Sequence, residues 1–194
     1  MSVRKPPFIV DSVPTHGPRT PSYIVLHTTE GLGTVESYAR YFRGTPAGLG
    51  SSFLVERSGR TGIYVARLTD KTYTQKDQNS RCIGIEQSGF AATSRKDWLS
   101  KYRRQLFATA WLCAWLCDEL GIPPILAGSE SSGRAFTHSK GITQHRWLPL
   151  NDHTDCGTGY PIDFVAQYAA KWAKNGGPTL GTRLYIKTGT RTSK

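Results

Sequence analysis

The chain has 194 residues, of which 38% are hydrophobic and 11% aromatic, so it can bury a core and is not a wholly disordered chain. Its 25 Lys and Arg residues outnumber 14 Asp and Glu residues, which gives a formal charge of +11 and a pI near 9.7. This excess predicts anionic surroundings, such as nucleic acid, acidic lipid or a phosphate-bearing polymer. The longest apolar stretch, residues 106–120, is shorter than the roughly 20 residues that a membrane-spanning helix needs, so no membrane span is expected.

The predicted elements alternate between strands and helices. Residues 1–20, rich in Pro, Ser, Thr and Gly, are expected to form an irregular lead-in. Apolar, β-branched runs predict short strands at residues 22–28, 52–56, 62–68, 81–87 and 142–148. Apolar spacings of three and four predict helices at residues 35–42, 98–120 and 161–174. This order predicts an α/β domain over 21–175, with a central mixed β-sheet flanked by helices, followed by a basic tail or linker over 176–194.

Four cysteines are too few and too scattered for a disulfide framework. Cys113 and Cys117 are four residues apart in a helical pattern and are interpreted as small apolar core residues, as is Cys82. Cys156 lies instead beside an aspartate in the segment 153–157, where a thiolate would be a good zinc ligand.

Two of the five histidines lie at or within predicted apolar strands. His27 ends the first of these strands and His145 lies in the last, so either side chain could point rigidly into a cleft. A lone histidine in such a place is more often an ordinary core or surface residue. The segment that contains His153, Asp155 and Cys156 follows soon after, and a catalytic zinc site needs three protein ligands from His, Asp, Glu or Cys. Together these residues indicate a metal centre.

Five segments resemble, in the same order, the motifs of the type 2 zinc-dependent N-acetylmuramoyl-L-alanine amidases, a family that includes phage endolysins and the peptidoglycan recognition proteins. The segments are IVLHTTEG at 24–31, SSFLVERSGR at 51–60, IGIEQSG at 83–89, ITQHRWLP at 142–149 and HTDCGTGYPID at 153–163. The resemblance covers residues 20–174 and implies the single-domain fold of these amidases and recognition proteins, with 21–175 as the catalytic domain. It also implies one zinc ion per chain and cleavage of the bond between N-acetylmuramic acid and L-alanine in bacterial peptidoglycan.

The resemblance assigns roles to the candidate residues. His27 and His145 would bind zinc. The third ligand would be Asp155 or Cys156, because the family uses either type there. Asp155 is favoured, because the run HTD at 153–155 resembles the Lys-Thr-Asp run of the members that use aspartate. Glu86 would be the general base, although a carboxylate on a buried strand can equally belong to a salt bridge. His153 stands where the family has a lysine and would stabilise the developing oxyanion, the alternative being a residue that only orders its loop.

The chain departs from the family pattern before the glutamate strand. Many members carry a Trp-His-Ala segment that lines the substrate groove, whereas residues 71–77 read KTYTQKD and contain no histidine. Tyr73 and Gln75 are the candidate replacements. His16 and His138 match no motif and are interpreted as surface residues.

Three classes of function fit these observations to different degrees. An enzyme is favoured because the whole ligand set stands in the sequence, and a non-catalytic peptidoglycan-binding module of the same fold is the alternative. Nucleic acid is suggested by charge alone and is not an expected partner, so the charge is interpreted as adhesion to anionic cell-wall polymers. The first residues show no apolar segment typical of a signal peptide, which leads us to expect an endolysin-like monomer made in the host cytoplasm and acting on the wall after release.

Overall fold

In the part of the chain that the structure describes, six strands form one sheet with helices packed against it. The computed structural model describes residues 2–130, 136–149 and 152–178. The strands are β1 (Phe8–Val10), β2 (Tyr23–Thr28), β3 (Phe53–Val55), β4 (Thr61–Ile63), β5 (Cys82–Gln87) and β6 (Gly141–Gln144). The helices are α1 (Val35–Arg43), α2 (Arg95–Lys101), α3 (Arg103–Leu120) and α4 (Ile162–Asn175). This architecture confirms the predicted α/β fold with a central mixed sheet.

The strand order β1-β4-β3-β5-β2-β6 places four parallel strands side by side. Strands β3, β5, β2 and β6 run in the same direction, whereas β4 is antiparallel to β3 and β1 is parallel to β4. The carboxyl ends of four neighbouring strands therefore meet at one edge, where functional side chains can converge. In the register of β2 and β5, His27 lies directly opposite Glu86.

Different helices pack against the two faces of the sheet. Ile24 and Ile85 belong to the largest apolar core, which the central strands form with α3 and α4. A smaller core on the other face joins Leu54 of β3 to α1. Because side chains alternate along a strand, His27 and Glu86 face away from α3, towards the side that α1 and the long loops cover.

The buried helix α3 contains two of the three cysteines that were predicted to lie in the core. Its buried residues run almost without a break from Gln105 to Cys117, because the helix packs against both the sheet and α4. Cys113 and Cys117 lie in this core, as predicted, and Cys82 is buried in a smaller cluster. All four cysteines are free thiols.

The structure corrects three predicted elements in the first two thirds of the chain. The expected irregular lead-in contains β1, a strand too short to show a period, which pairs with β4 at the sheet edge. The strand predicted over 62–68 ends at Ile63, because its partner β3 has only three residues. The helix predicted from residue 98 is two helices: α2 begins after Ser94, whose hydroxyl accepts a hydrogen bond from the Asp97 N–H, and Tyr102 interrupts the helix before α3.

The strand predicted over 142–148 is also wrong in its second half. It ends at Gln144, and residues 145–147 form a 3₁₀ turn. The Arg146 N–H donates a hydrogen bond of 2.7 Å to the carbonyl of Asp155, so the chain bends towards a later loop instead of continuing along β2. We call residues 152–157 the closing loop.

The last described helix, α4, ends at Asn175 and is closed by Gly176 at φ 73°, a left-handed conformation that favours glycine. Residues 179–194, most of the predicted tail, lie outside the described residues. None of the helices in the described ranges has both the length and the apolar character needed to cross a membrane.

Candidate metal centre and active site

Three predicted metal ligands converge at the carboxyl ends of β2 and β6. The Nδ1 atoms of His27 and His145 lie 3.0 Å apart, and the Asp155 carboxylate lies 3.2 Å from the first and 3.1 Å from the second. All three residues are buried, and their ligand atoms lie within 4.8 Å of one another. Two donors bonded to a tetrahedral zinc ion at about 2.0–2.1 Å are roughly 3.3 Å apart, so this donor set fits zinc.

The closing loop brings Asp155, and not Cys156, to the two histidines. The Cys156 thiol belongs to the apolar core, 4.0 Å from the Gln87 side-chain nitrogen. Burial raises the pKa of this thiol well above its usual value, and the Asp155 charge adds to the effect, so the thiol stays protonated. Burial acts to raise the pKa of Asp155 too, but hydrogen bonds from His145 and His27 outweigh it and hold that pKa well below its usual range. Asp155 is therefore a carboxylate facing both rings.

Glu86 faces the same side of the sheet as His27, and it is only 9% exposed. Burial raises the pKa of its carboxyl well above the usual value, and the charges of Asp155 and Glu30 raise it further. Its Oε2 atom is buried, and no hydrogen-bond partner for it occurs among the described residues. Glu86 forms no salt bridge within the described ranges either. The alternative interpretation, in which this carboxylate belongs to a salt bridge, is therefore not supported there. A buried carboxylate with a raised pKa and an open oxygen is suited to accept a proton.

His153 lies at the mouth of the site. Its side chain is 48% exposed, and its ring stacks on that of His145 with centroids 4.2 Å apart and an interplanar angle of 19°. Its Nδ1 lies 3.7 Å from an Asp155 oxygen. Burial and the neighbouring His145 lower the pKa of His153, so the ring is mainly neutral near pH 7 and carries one N–H donor.

A cavity of about 530 Å³ opens above these side chains. Its apolar wall comes from helix α1, the segment between α1 and β3, and the loop before β5. The wall consists of Tyr38, Tyr41, Phe42, Leu49 and Tyr73. Tyr41 and Leu49 are 61% and 45% exposed, so apolar surface borders the opening. An apolar wall around a few convergent polar groups is typical of a ligand-binding site.

Of the two residues considered as replacements for the family's groove histidine, Tyr73 lies in the cavity wall and Gln75 is buried beside His27. His16, interpreted from sequence as a surface residue, is only partly exposed: its ring stacks on Tyr73 at 3.6 Å, and its Nε2 contacts the Gly48 carbonyl at 2.8 Å. It therefore supports the cavity wall. His138 is exposed, as expected.

Glu30 and Lys76 line the cavity but were not among the predicted site residues. The Glu30 carboxylate accepts hydrogen bonds of 2.8 Å from the Thr28 hydroxyl and the Ala91 N–H. Lys76 forms an ion pair with Asp152 that joins the loop before β5 to the closing loop. Glu30 could have been found from the sequence, because it lies just after the first ligand strand. The ion pair of Lys76 could not, because Asp152 is distant in the chain.

Several solved structures share this fold. The N-acetylmuramoyl-L-alanine amidase LysC from Clostridium intestinale URNW aligns with a TM-score of 0.60 at 15% identity, over 84% of this chain and 97% of its own. The endolysin amidase LysCS from the same organism gives 0.62 at 15% identity, over 86% and 97%. The hydrolase AmiA from Staphylococcus aureus gives 0.67 at 15% identity, over 88% and 85%. At these identities, the likeness shows the fold.

Sequence comparison supplies the family. No curated protein matches the chain. The family model described as N-acetylmuramoyl-L-alanine amidase matches residues 17–158, a range that includes both histidines, Glu86 and Asp155. Because this match spans well over half of the sequence, the chain belongs to the N-acetylmuramoyl-L-alanine amidase family.

Proposed function

We propose that this peptidoglycan amidase cleaves the bond between N-acetylmuramic acid and L-alanine with one zinc ion held by His27, His145 and Asp155. The observation that carries the proposal is the convergence of these three buried donors beside the Glu86 carboxylate in one cavity. Zinc bound there would supply Lewis-acid chemistry, acidifying water and polarising the amide carbonyl. The amidase activity itself follows from the family, as the sequence predicted.

Glu86 acts as the general base in this proposal. It takes a proton from the attacking water and returns it to the amide nitrogen as the bond to that nitrogen breaks. Its raised pKa makes it a stronger base than an exposed carboxylate, and its buried oxygen is not committed to another group among the described residues. The position of Glu86 opposite His27 in the strand register supports this role.

His153 donates a hydrogen bond to the carbonyl oxygen while negative charge develops on it. A neutral imidazole has one N–H, which is enough for this role. Stacking on His145 limits the orientations of the ring, and the His153 side chain lines the cavity that would receive substrate. The apolar wall that includes Tyr41 and Leu49 packs against substrate next to this opening.

The setting that we propose is that of an endolysin, an enzyme made in a host cell that lyses its wall. The fold likeness to LysCS, which is described as an endolysin, supports this setting. The net charge of +11 would hold the enzyme on phosphate- and carboxylate-rich wall polymers. The alternative function, a module that binds peptidoglycan without cutting it, would need the cavity but not the donor set or Glu86.

The test is digestion of purified peptidoglycan, with mass spectrometry used to detect newly freed L-alanine amino termini. We expect these termini with the zinc-loaded chain, their loss with a chelator, and their return when zinc is added. Product that persists after the metal has been removed would contradict the zinc mechanism. Binding to the wall without any product would favour the binding module.

A further inference from the structure

The second ring nitrogen of His27 has a buried neighbour. Gln75 is 1% exposed, and its side-chain amide lies 3.2 Å from His27 Nε2, while Nδ1 of the same ring faces His145 and Asp155. We propose that Gln75 is a positioning residue: its amide oxygen accepts a hydrogen bond from His27 Nε2–H and so presents the Nδ1 lone pair to the metal. This inference rests on the zinc centre of the proposed function.

The chemistry of the amide decides which of its atoms faces the ring. The oxygen and nitrogen of a glutamine amide have nearly the same shape, so their assignment follows from hydrogen bonding. With Nε2 towards His27, Gln75 Oε1 is a buried acceptor for which the described residues offer no donor. With the oxygen towards His27, the acceptor meets the Nε2–H that a ring binding metal through Nδ1 must carry. A ligating histidine commonly donates its other N–H to such a group, which orients the ring and selects its tautomer.

The backbone that carries Gln75 is held in place by its own turn. The N–H groups of Thr74 and Gln75 both donate to the Asn79 side-chain oxygen, at 3.0 and 2.7 Å. The Gln78 N–H donates to the Gln75 carbonyl at 2.9 Å. A side chain that must orient a ligand needs a backbone fixed in this way.

Gly84 of β5 leaves the space that the Gln75 amide occupies. A Cβ atom at position 84 would lie 2.3 Å from Gln75 Nε2, 2.8 Å from Thr74 Oγ1 and 3.0 Å from Ser51 Oγ. The amide is the far end of a flexible side chain, so an alanine at 84 would displace it from His27. The glycine two residues before Glu86 thus has a physical role, and it offers a second way to break the same contact.

The test is the zinc affinity of the purified chain, measured by competition with a chromophoric chelator. We expect Gln75→Leu to weaken zinc binding about 10–100-fold, and Gly84→Ala to weaken it in the same direction. Gln75→Glu should retain the affinity, because a carboxylate also accepts from Nε2–H. The matched control is Gln78→Leu in the same turn, whose amide contacts Asp77 and which should bind zinc as the wild type does.

A spectroscopic signature separates positioning from a general loss of structure. In the zinc-loaded wild type, the hydrogen-bonded His27 Nε2–H should give a slowly exchanging imidazole proton resonance. That resonance should disappear in Gln75→Leu and persist in Gln75→Glu and Gln78→Leu. Wild-type zinc affinity and an unchanged resonance in Gln75→Leu would overturn the role of Gln75 alone, whereas a wild type that binds no zinc would overturn the zinc centre and this inference together.

Discussion

Replacing Glu86 with glutamine tests the chemistry of the site with little change in shape. The two side chains have the same size, and the Glu86 Oε2 atom has no partner among the described residues that the amide would disrupt. A general base contributes about 10²–10⁴ to the rate, which corresponds to a barrier higher by about 3–5.5 kcal/mol in Glu86→Gln. Zinc content should stay at one ion per chain, because the three proposed ligands remain.

The same substitution lowers the rate of hydrolysis but should raise the free energy of unfolding of the metal-free protein. The folded pKa of Glu86 lies above its unfolded value of about 4.3, so the folded state binds more protons between the two pKa values. The wild-type free energy of unfolding therefore falls as the pH rises through that window. Glutamine does not titrate, so Glu86→Gln lacks this fall and should be the more stable protein above the window. Urea unfolding across the pH range, with chelator present, measures the difference.

The decisive measurement is the rate of release of L-alanine amino termini at equal zinc content. The matched control is Glu119→Gln, an exposed glutamate of α3 that contacts Trp115 and lies outside the cavity lining. It should keep the wild-type rate and change stability by less than about 0.5 kcal/mol. A Glu86→Gln enzyme that retained more than about a tenth of the wild-type rate with full zinc would refute the assignment of the base.

Other predictions address the ligand, the oxyanion and the charge. Elemental analysis should find stoichiometric zinc lost in Asp155→Ala and kept in Cys156→Ser. Cys156→Ser should also be less stable by about 1–3 kcal/mol, because it buries a hydroxyl group in the core. The opposite zinc contents would make the cysteine the ligand. His153→Ala should slow hydrolysis about 10²-fold with zinc retained, and His153→Lys should restore much of the rate; an unaffected rate in His153→Ala would leave that residue a loop-ordering role. Sedimentation with cell walls should show Glu86→Gln binding weaken as salt rises above about 0.1 M, and binding insensitive to salt would mean that the charge is not an adhesion term.

The local sequence was enough for the fold class and for most of the candidate site. The apolar run of β2 ends before His27, and that of β5 ends before Glu86, so both residues could be placed near strand ends from these runs alone. The division of the helical region at Tyr102 and the end of β6 at Gln144 were missed. The end of β6 depends on the hydrogen bond from Arg146 to the closing loop, which a local pattern does not contain.

Only the tertiary structure shows which of two adjacent candidate ligands faces the histidines. Asp155 and Cys156 are adjacent and both are zinc-ligand types, but the closing loop turns one to the histidines and the other into the core. Gln75 lies beside His27, and Gly84 of the neighbouring strand β5 leaves the space that the Gln75 amide occupies. Sequence determines which chemical groups are available and which local structures they favour. The distances between groups far apart in the chain arise from strand register and loop closure, and these distances make the site.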